Sequence, residues 1–174
     1  MARLPLVSEQ THPELSPLIE RIREERGGRL LNLYATLLHS PPVAEGWLKL
    51  LTAVRQHTRL DPALRELAIL RVALINEAQY EYRTHVPFAL QAGLTPEQLE
   101  ALPAWGESPL FDQRARDVLA YVDAMTRDVH VPDALFEPLR RWFDPRQLVE
   151  LTVTVAAYNM VSRFLEALQV EADR

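Results

Sequence analysis

Apolar residues recur at intervals of three and four along most of this chain, the spacing of one face of an α-helix. Val43, Trp47, Leu50, Leu51 and Val54 make one such stripe. Ala115, Val118, Leu119 and Val122, continued by Met125, make another. The stretch from Leu60 to Leu102 departs from the pattern, because its first half has almost no polar face: from Leu67 to Ile75 only Arg71 is polar. A helix apolar all round lies inside a domain, so this segment is the expected centre of the fold. Asp61 and Pro62 suit its N-terminus, and Glu66 falls in its opening turns, where a carboxylate meets the positive end of the helix dipole.

The second half of that stretch brings polar groups to the core. Ala78, Glu81 and His85 are spaced i, i+3, i+7, along one side of a single helix. Gly93 ends that helix, and Thr95-Pro96-Glu97-Gln98 opens the next with a capping-box pattern. Asn76 and Glu77 lie where the first helix breaks into the second.

Elsewhere the pattern predicts helices over 18–26, 30–38, 43–56, 96–101, 114–127 and 132–142, with a loop over 103–109. The opening LTVTVAA of the last element alternates like a strand. Some two dozen residues without Gly or Pro favour one long helix from Pro145 to about Glu171. Residues 1–17 hold three prolines and no periodicity, and are expected to form an extended arm that frays or wraps a neighbouring subunit. The expected fold is thus all-α, a single-domain helical bundle over 18–174. A faint repeat runs through it: Leu60-Asp61-Pro62 with Glu66-Leu67 is echoed by Phe143-Asp144-Pro145 with Glu150-Leu151, one residue longer.

Composition narrows the chemistry. At 174 residues the chain can bury a sizeable core without staples. It has no cysteine, which removes disulfides, zinc-thiolate sites and thiol catalysis. With 19 basic against 24 acidic residues, a net charge of -5 argues against a nucleic-acid surface. No apolar run reaches the roughly 20 residues that span a bilayer, so no membrane partner is expected. The N-terminus lacks a hydrophobic signal core, which implies a cytoplasmic protein. The glycines are scattered, with neither a phosphate-cradling loop nor a nucleophile elbow.

Glu66, an eleven-residue gap, Ala78, Glu81 and His85, followed by Ala89, Gly93 and Leu94-Thr95, resembles the carboxymuconolactone decarboxylase family. That family includes the alkylhydroperoxidase D-like proteins, whose peroxidase branch carries Glu-x11-Cys-x2-Cys-x3-His in this register. Here Ala78 and Glu81 hold the two cysteine positions, while Glu66 and His85 remain. The resemblance reaches upstream through His39-Ser40-Pro41 and downstream through the helix of Leu151 and Val170. It implies an alkylhydroperoxidase D-like bundle, a homo-oligomer, and no metal or cofactor.

Glu81 and His85 are close enough on a helix to hydrogen-bond. Taken alone they read as a solvated pair, and Glu66 reads as a helix-dipole carboxylate. Together they are expected to meet on a concave, mostly apolar surface. There a desolvated carboxylate and an imidazole can exchange protons near neutral pH. Two oxygens and one nitrogen would formally suit a divalent ion, but no compact signature such as His-Glu-x-x-His accompanies them.

Arg71, inside the apolar run, pairs with a carboxylate or alternatively fixes an anionic substrate. Arg71, Asn76, Ala78 and Tyr82 are the candidate substrate-binding residues; of Tyr80 and Tyr82, at most one faces the pocket. His39 and His57 read as structural, and His12 and His130 sit in loop-like contexts.

With both sulfurs absent, the peroxidase reaction has no nucleophile. The decarboxylase branch is similar in needing neither redox cysteine nor cofactor. The resulting expectation is a cofactor-free acid/base enzyme, a lyase or decarboxylase acting on a small organic acid or lactone. Glu66 or Glu81 would be its base and His85 its proton donor. The rival expectation is a non-catalytic, oligomeric small-molecule-binding scaffold derived from the thiol peroxidase branch.

Overall fold

The computed structural model describes residues 2–173. Among them are nine α-helices, three short 3-10 turns and no strand. The helices are α1 (Ser16–Glu25), α2 (Asn32–Leu37), α3 (Pro41–Gln56), α4 (Pro62–Ile75), α5 (Gln79–Gln91), α6 (Pro96–Ala101), α7 (Gln113–Arg127), α8 (Asp133–Phe136) and α9 (Pro145–Leu168). The class is all-α, as the pattern predicted. None of these helices is long and apolar enough to cross a membrane.

The chain forms two compact units. One runs up to His57 and resumes at Leu165; the other is Thr58–Phe164. In the first, the N-terminal segment is tied down rather than frayed. The Val7 amide donates to Ala35 at 3.1 Å, and the Arg3 amide donates to Leu168 at 3.0 Å. Helix α1 starts at Ser16, inside the stretch read as extended, and a 3-10 turn over Pro13–Leu15 leads into it. Pro17 sits in the first turn, where its missing N–H costs nothing and its fixed φ favours entry. Two of the three prolines that suggested an arm, Pro13 and Pro17, therefore lie at helical starts.

The second unit is built around α4 and α5. Asp61 caps α4, its side chain accepting from the amides of Ala63 and Leu64. Leu67, Ala68, Ile69, Leu70 and Val72 are each at most 1 % exposed. At about 1.5–3 kcal/mol for each large apolar side chain buried, α4 is the main hydrophobic anchor of this unit. Truncating Leu70 to Ala would cost about 2–5 kcal/mol.

The turn from α4 into α5 has a defined mechanism. The Glu77 amide donates to Leu74 at 3.2 Å and the Ala78 amide to Ala73 at 2.9 Å. This is a Schellman closure, with Glu77 in the left-handed region at φ 55. Gly93 ends α5 in the same way with φ 102, its amide reaching Leu90 and that of Leu94 reaching Ala89. Thr95 and Gln98 then form the predicted capping box.

The repeat noticed in the sequence has a physical counterpart. Asp144 accepts from the Gln147 amide at 2.8 Å, so both Asp-Pro pairs start helices with a side-chain cap. The stretch expected as a loop at 103–109 is largely a 3-10 turn over Leu102–Glu107. The end of the 132–142 helix tightens likewise into 3-10 geometry over Glu137–Arg141.

Candidate functional site: a histidine between two carboxylates

The three-residue turn between α4 and α5 sends α5 back along α4, so a residue early in one helix meets a residue midway along the other. His85 Nδ1 lies 2.6 Å from Glu66 Oε2, and His85 Nε2 lies 3.0 Å from Glu81 Oε1. Glu66, Glu81 and His85 are 2 %, 4 % and 2 % exposed. The structure thus brings the three expected residues together, but beneath the surface rather than on an open concave face. Tyr158, from α9, meets the imidazole edge-on with centroids 5.0 Å apart, and Phe88 packs against it at 5.7 Å.

A neutral imidazole has one N–H donor, yet both ring nitrogens face carboxylate oxygens. Satisfying both contacts takes an imidazolium, or a proton on one of the carboxyls. Burial alone would push the His85 pKa down; the hydrogen bonds from Glu66 and Glu81 and their charges outweigh it, and the net shift is upward. The ring is therefore held as a cation at a pH where an ordinary histidine is losing its proton.

Two ionised carboxylates and one imidazolium would leave a negative charge in this interior. Arg65 balances it, with Nε 3.4 Å from Glu66 Oε1 and a side chain only 15 % exposed. Among the described residues the terminal nitrogens of Arg65 have no hydrogen-bond partner. The sequence reading passed over this residue; its one signal was a cation directly beside Glu66.

The remaining candidates are not hydrogen-bond partners of His85. Arg71 is 6 % exposed. Its Nε and Nη2 grip Asp123 of α7 at 2.6 and 2.7 Å, and its Nη1 donates to the carbonyls of Leu102 and Pro103 at 3.1 Å each. Of its two readings, the ion pair is the one with partners in the structure.

Asn76 donates to Asn159 Oδ1 at 3.0 Å, in a network that includes Thr126 and Arg163. Ala78 is completely buried just ahead of α5. Tyr82 is half-buried, its phenol pKa raised by that burial, and it takes no part in the hydrogen bonding around His85. Among the described residues no group of three or more His, Asp or Glu side chains is arranged to hold a metal ion. The side chains around His85 converge on the ring instead.

The fold and the register of Glu66, Glu81 and His85 define an alkylhydroperoxidase D-like helical protein. Residues 41–124 match the carboxymuconolactone decarboxylase family, and the chain belongs to that family. The uncharacterized protein YnjA of Escherichia coli (strain K12) is 32 % identical over 129 residues, which are 73 % of this chain and 68 % of YnjA.

Among solved structures, a protein of unknown function from Agrobacterium tumefaciens, described as a candidate AhpD antioxidant-defence protein, superposes with a TM-score of 0.73. It is 27 % identical, over 78 % of this chain and 94 % of that one. The debrominase Bmp8, solved as a cysteine-to-alanine variant with 2,3,4-tribromopyrrole, gives a TM-score of 0.82. Its identity is 16 %, over 99 % of this chain and 94 % of that one, a likeness of fold.

Proposed function

We propose that this protein is a cofactor-free acid/base enzyme, a lyase or decarboxylase that moves a proton on a small organic acid or lactone. The observation that carries the reading is the imidazole held at 2.6 and 3.0 Å between two buried carboxylates. Such an arrangement stores one proton and passes it from one side of the ring to the other. Glu66 anchors Nδ1, His85 carries the proton, and Glu81 exchanges it with the substrate from the position where the peroxidase branch has sulfur.

In a decarboxylation, the C–C bond to the departing CO2 breaks and its electron pair enters the conjugated system of the lactone. A proton delivered to carbon then completes the product. Arg65, with its terminal nitrogens uncommitted, is the cation an anionic substrate would meet beside this relay. Burial serves the chemistry by keeping water from the proton.

Homo-oligomerisation belongs to the same proposal. Val149, Val153 and Met160 form an exposed apolar stripe along α9 suited to a second copy. Light scattering that finds only the 19.9 kDa monomer would count against it.

The test of the enzyme reading follows carboxymuconolactone and a panel of small carboxylated lactones by absorbance and NMR. Turnover is expected, and His85→Gln or Glu81→Gln should reduce it by about 10²–10⁴-fold with the melting transition still cooperative. Absence of turnover across the panel would refute it. The second reading, a binding scaffold, draws on the closeness of Tyr158 and Phe88 to the ring; saturable binding of a panel member without turnover would establish it instead.

A further inference from the structure

A cleft of about 280 Å³ opens in the Thr58–Phe164 unit between the N-terminal turns of α4 and α7. Glu66, Glu81 and His85 are not among its lining residues. Its lining includes the apolar side chains of Leu64, Leu67, Leu94, Leu110 and Phe111 and charges of both signs on Arg114, Asp61 and Asp112.

These charges do not neutralise one another. Arg114 lines the cleft, yet no carboxylate among the described residues pairs with it, and its Nε is buried with no hydrogen-bond partner. Among the described residues its one specific contact is the Phe143 ring, with Cζ 5.1 Å from the centroid, which uses none of its N–H donors. Asp61 and Asp112 each spend one oxygen on a helix cap. Among the described residues, neither second oxygen has a hydrogen-bond partner.

A guanidinium without a carboxylate, two half-used carboxylates and apolar lining side chains complement a molecule with an anionic group, a cationic group and a hydrophobic body. The volume falls just below the roughly 300–1,000 Å³ of sites for drug-sized ligands, which favours something smaller. We propose that this cleft binds a small zwitterion of the hydrophobic amino-acid type. Its carboxylate lies on Arg114, its ammonium on Asp61 and Asp112, and its side chain on the lining leucines.

Calorimetric titration of the intact protein tests this with L-leucine, N-acetyl-L-leucine and L-leucinamide. Leucine is expected to bind saturably at millimolar concentration or below. The acetylated compound lacks the ammonium and the amide lacks the carboxylate, so each should bind about tenfold more weakly or worse. Arg114→Gln should weaken leucine by a similar factor. Asp61→Asn and Asp112→Asn keep their helix caps, since Asn caps as well as Asp, and should also weaken it. His85→Gln should leave leucine binding unchanged.

Absence of saturable leucine binding overturns the proposal. So does equal affinity for N-acetyl-leucine, which would mean a simple anion site. Binding insensitive to Arg114→Gln but lost in His85→Gln would place the ligand at the buried histidine and also overturn it.

Discussion

Nineteen residues separate Glu66 from His85, yet Glu66 Oε2 stands 2.6 Å from His85 Nδ1 with both side chains 3 % exposed. That contact fixes the charge state of the core, and the stability of the protein should report it. In the folded chain the His85 pKa is raised above its ordinary value of about 6.5. A group raised on folding contributes stability that is fully present below the unfolded pKa and is lost as pH rises through the folded one. The stability of wild type relative to His85→Gln should therefore be greatest near pH 6 and decline as the pH rises through the folded pKa. Urea melts at several pH values measure it; a difference independent of pH would mean the ring is not a cation in the fold.

Arg71 offers a contrast between structural and catalytic arginines. Its bidentate grip on Asp123, with Nη1 on two backbone carbonyls, ties α4 to α7 and to the 3-10 turn after α6. Removing one partner of a buried pair leaves the other charge desolvated, so Arg71→Met should cost about 3–5 kcal/mol. Replacing Arg71 and Asp123 together by apolar residues should cost less than the sum of the single changes. Additive costs in a double-mutant cycle would show that the pair is not the unit the geometry describes.

The sequence reached the site because helix periodicity, a reliable ruler at short range, placed residues that the family resemblance had singled out. Glu81 and His85 are one turn apart on any helix, and the apolar run fixed Glu66 at the edge of the core. What periodicity could not supply was the angle of the turn between the helices. Glu77, at φ 55, does the work usually given to glycine, so the break expected at Asn76 and Glu77 carried no glycine to mark it as a closure that folds α5 back onto α4. Tyr158 was equally hidden, since its approach to His85 depends on how α9 packs and not on any spacing within one element. The burial of all three side chains was not legible either, since how deep a helix face lies depends on what packs over it.

The loss of sulfur makes a negative prediction. With no cysteine anywhere in the chain, hydroperoxide consumption coupled to a thiol or lipoyl reductant should not exceed the buffer blank. Robust turnover that depends on added hydroperoxide would show a peroxidase chemistry independent of thiols.

The relay itself can be read from the proton on His85. Glu66 holds Nδ1 at 2.6 Å and Glu81 holds Nε2 at 3.0 Å, and each bond favours the charged ring against a burial that opposes it. Replacing either carboxylate by its isosteric amide removes a negative charge and turns an acceptor-only group into one that can also donate. The His85 pKa should fall in both variants, and further in Glu66→Gln, which loses the shorter contact. NMR titration of the ring proton follows this without requiring any substrate. If the ring is the acid in turnover, activity on the alkaline side should decline with an apparent pKa above about 6.5. In whichever variant retains measurable activity, that limb should move toward lower pH in step with the NMR titration. A limb that stays in place while the ring pKa falls would assign the acid to another group and remove His85 from the chemistry.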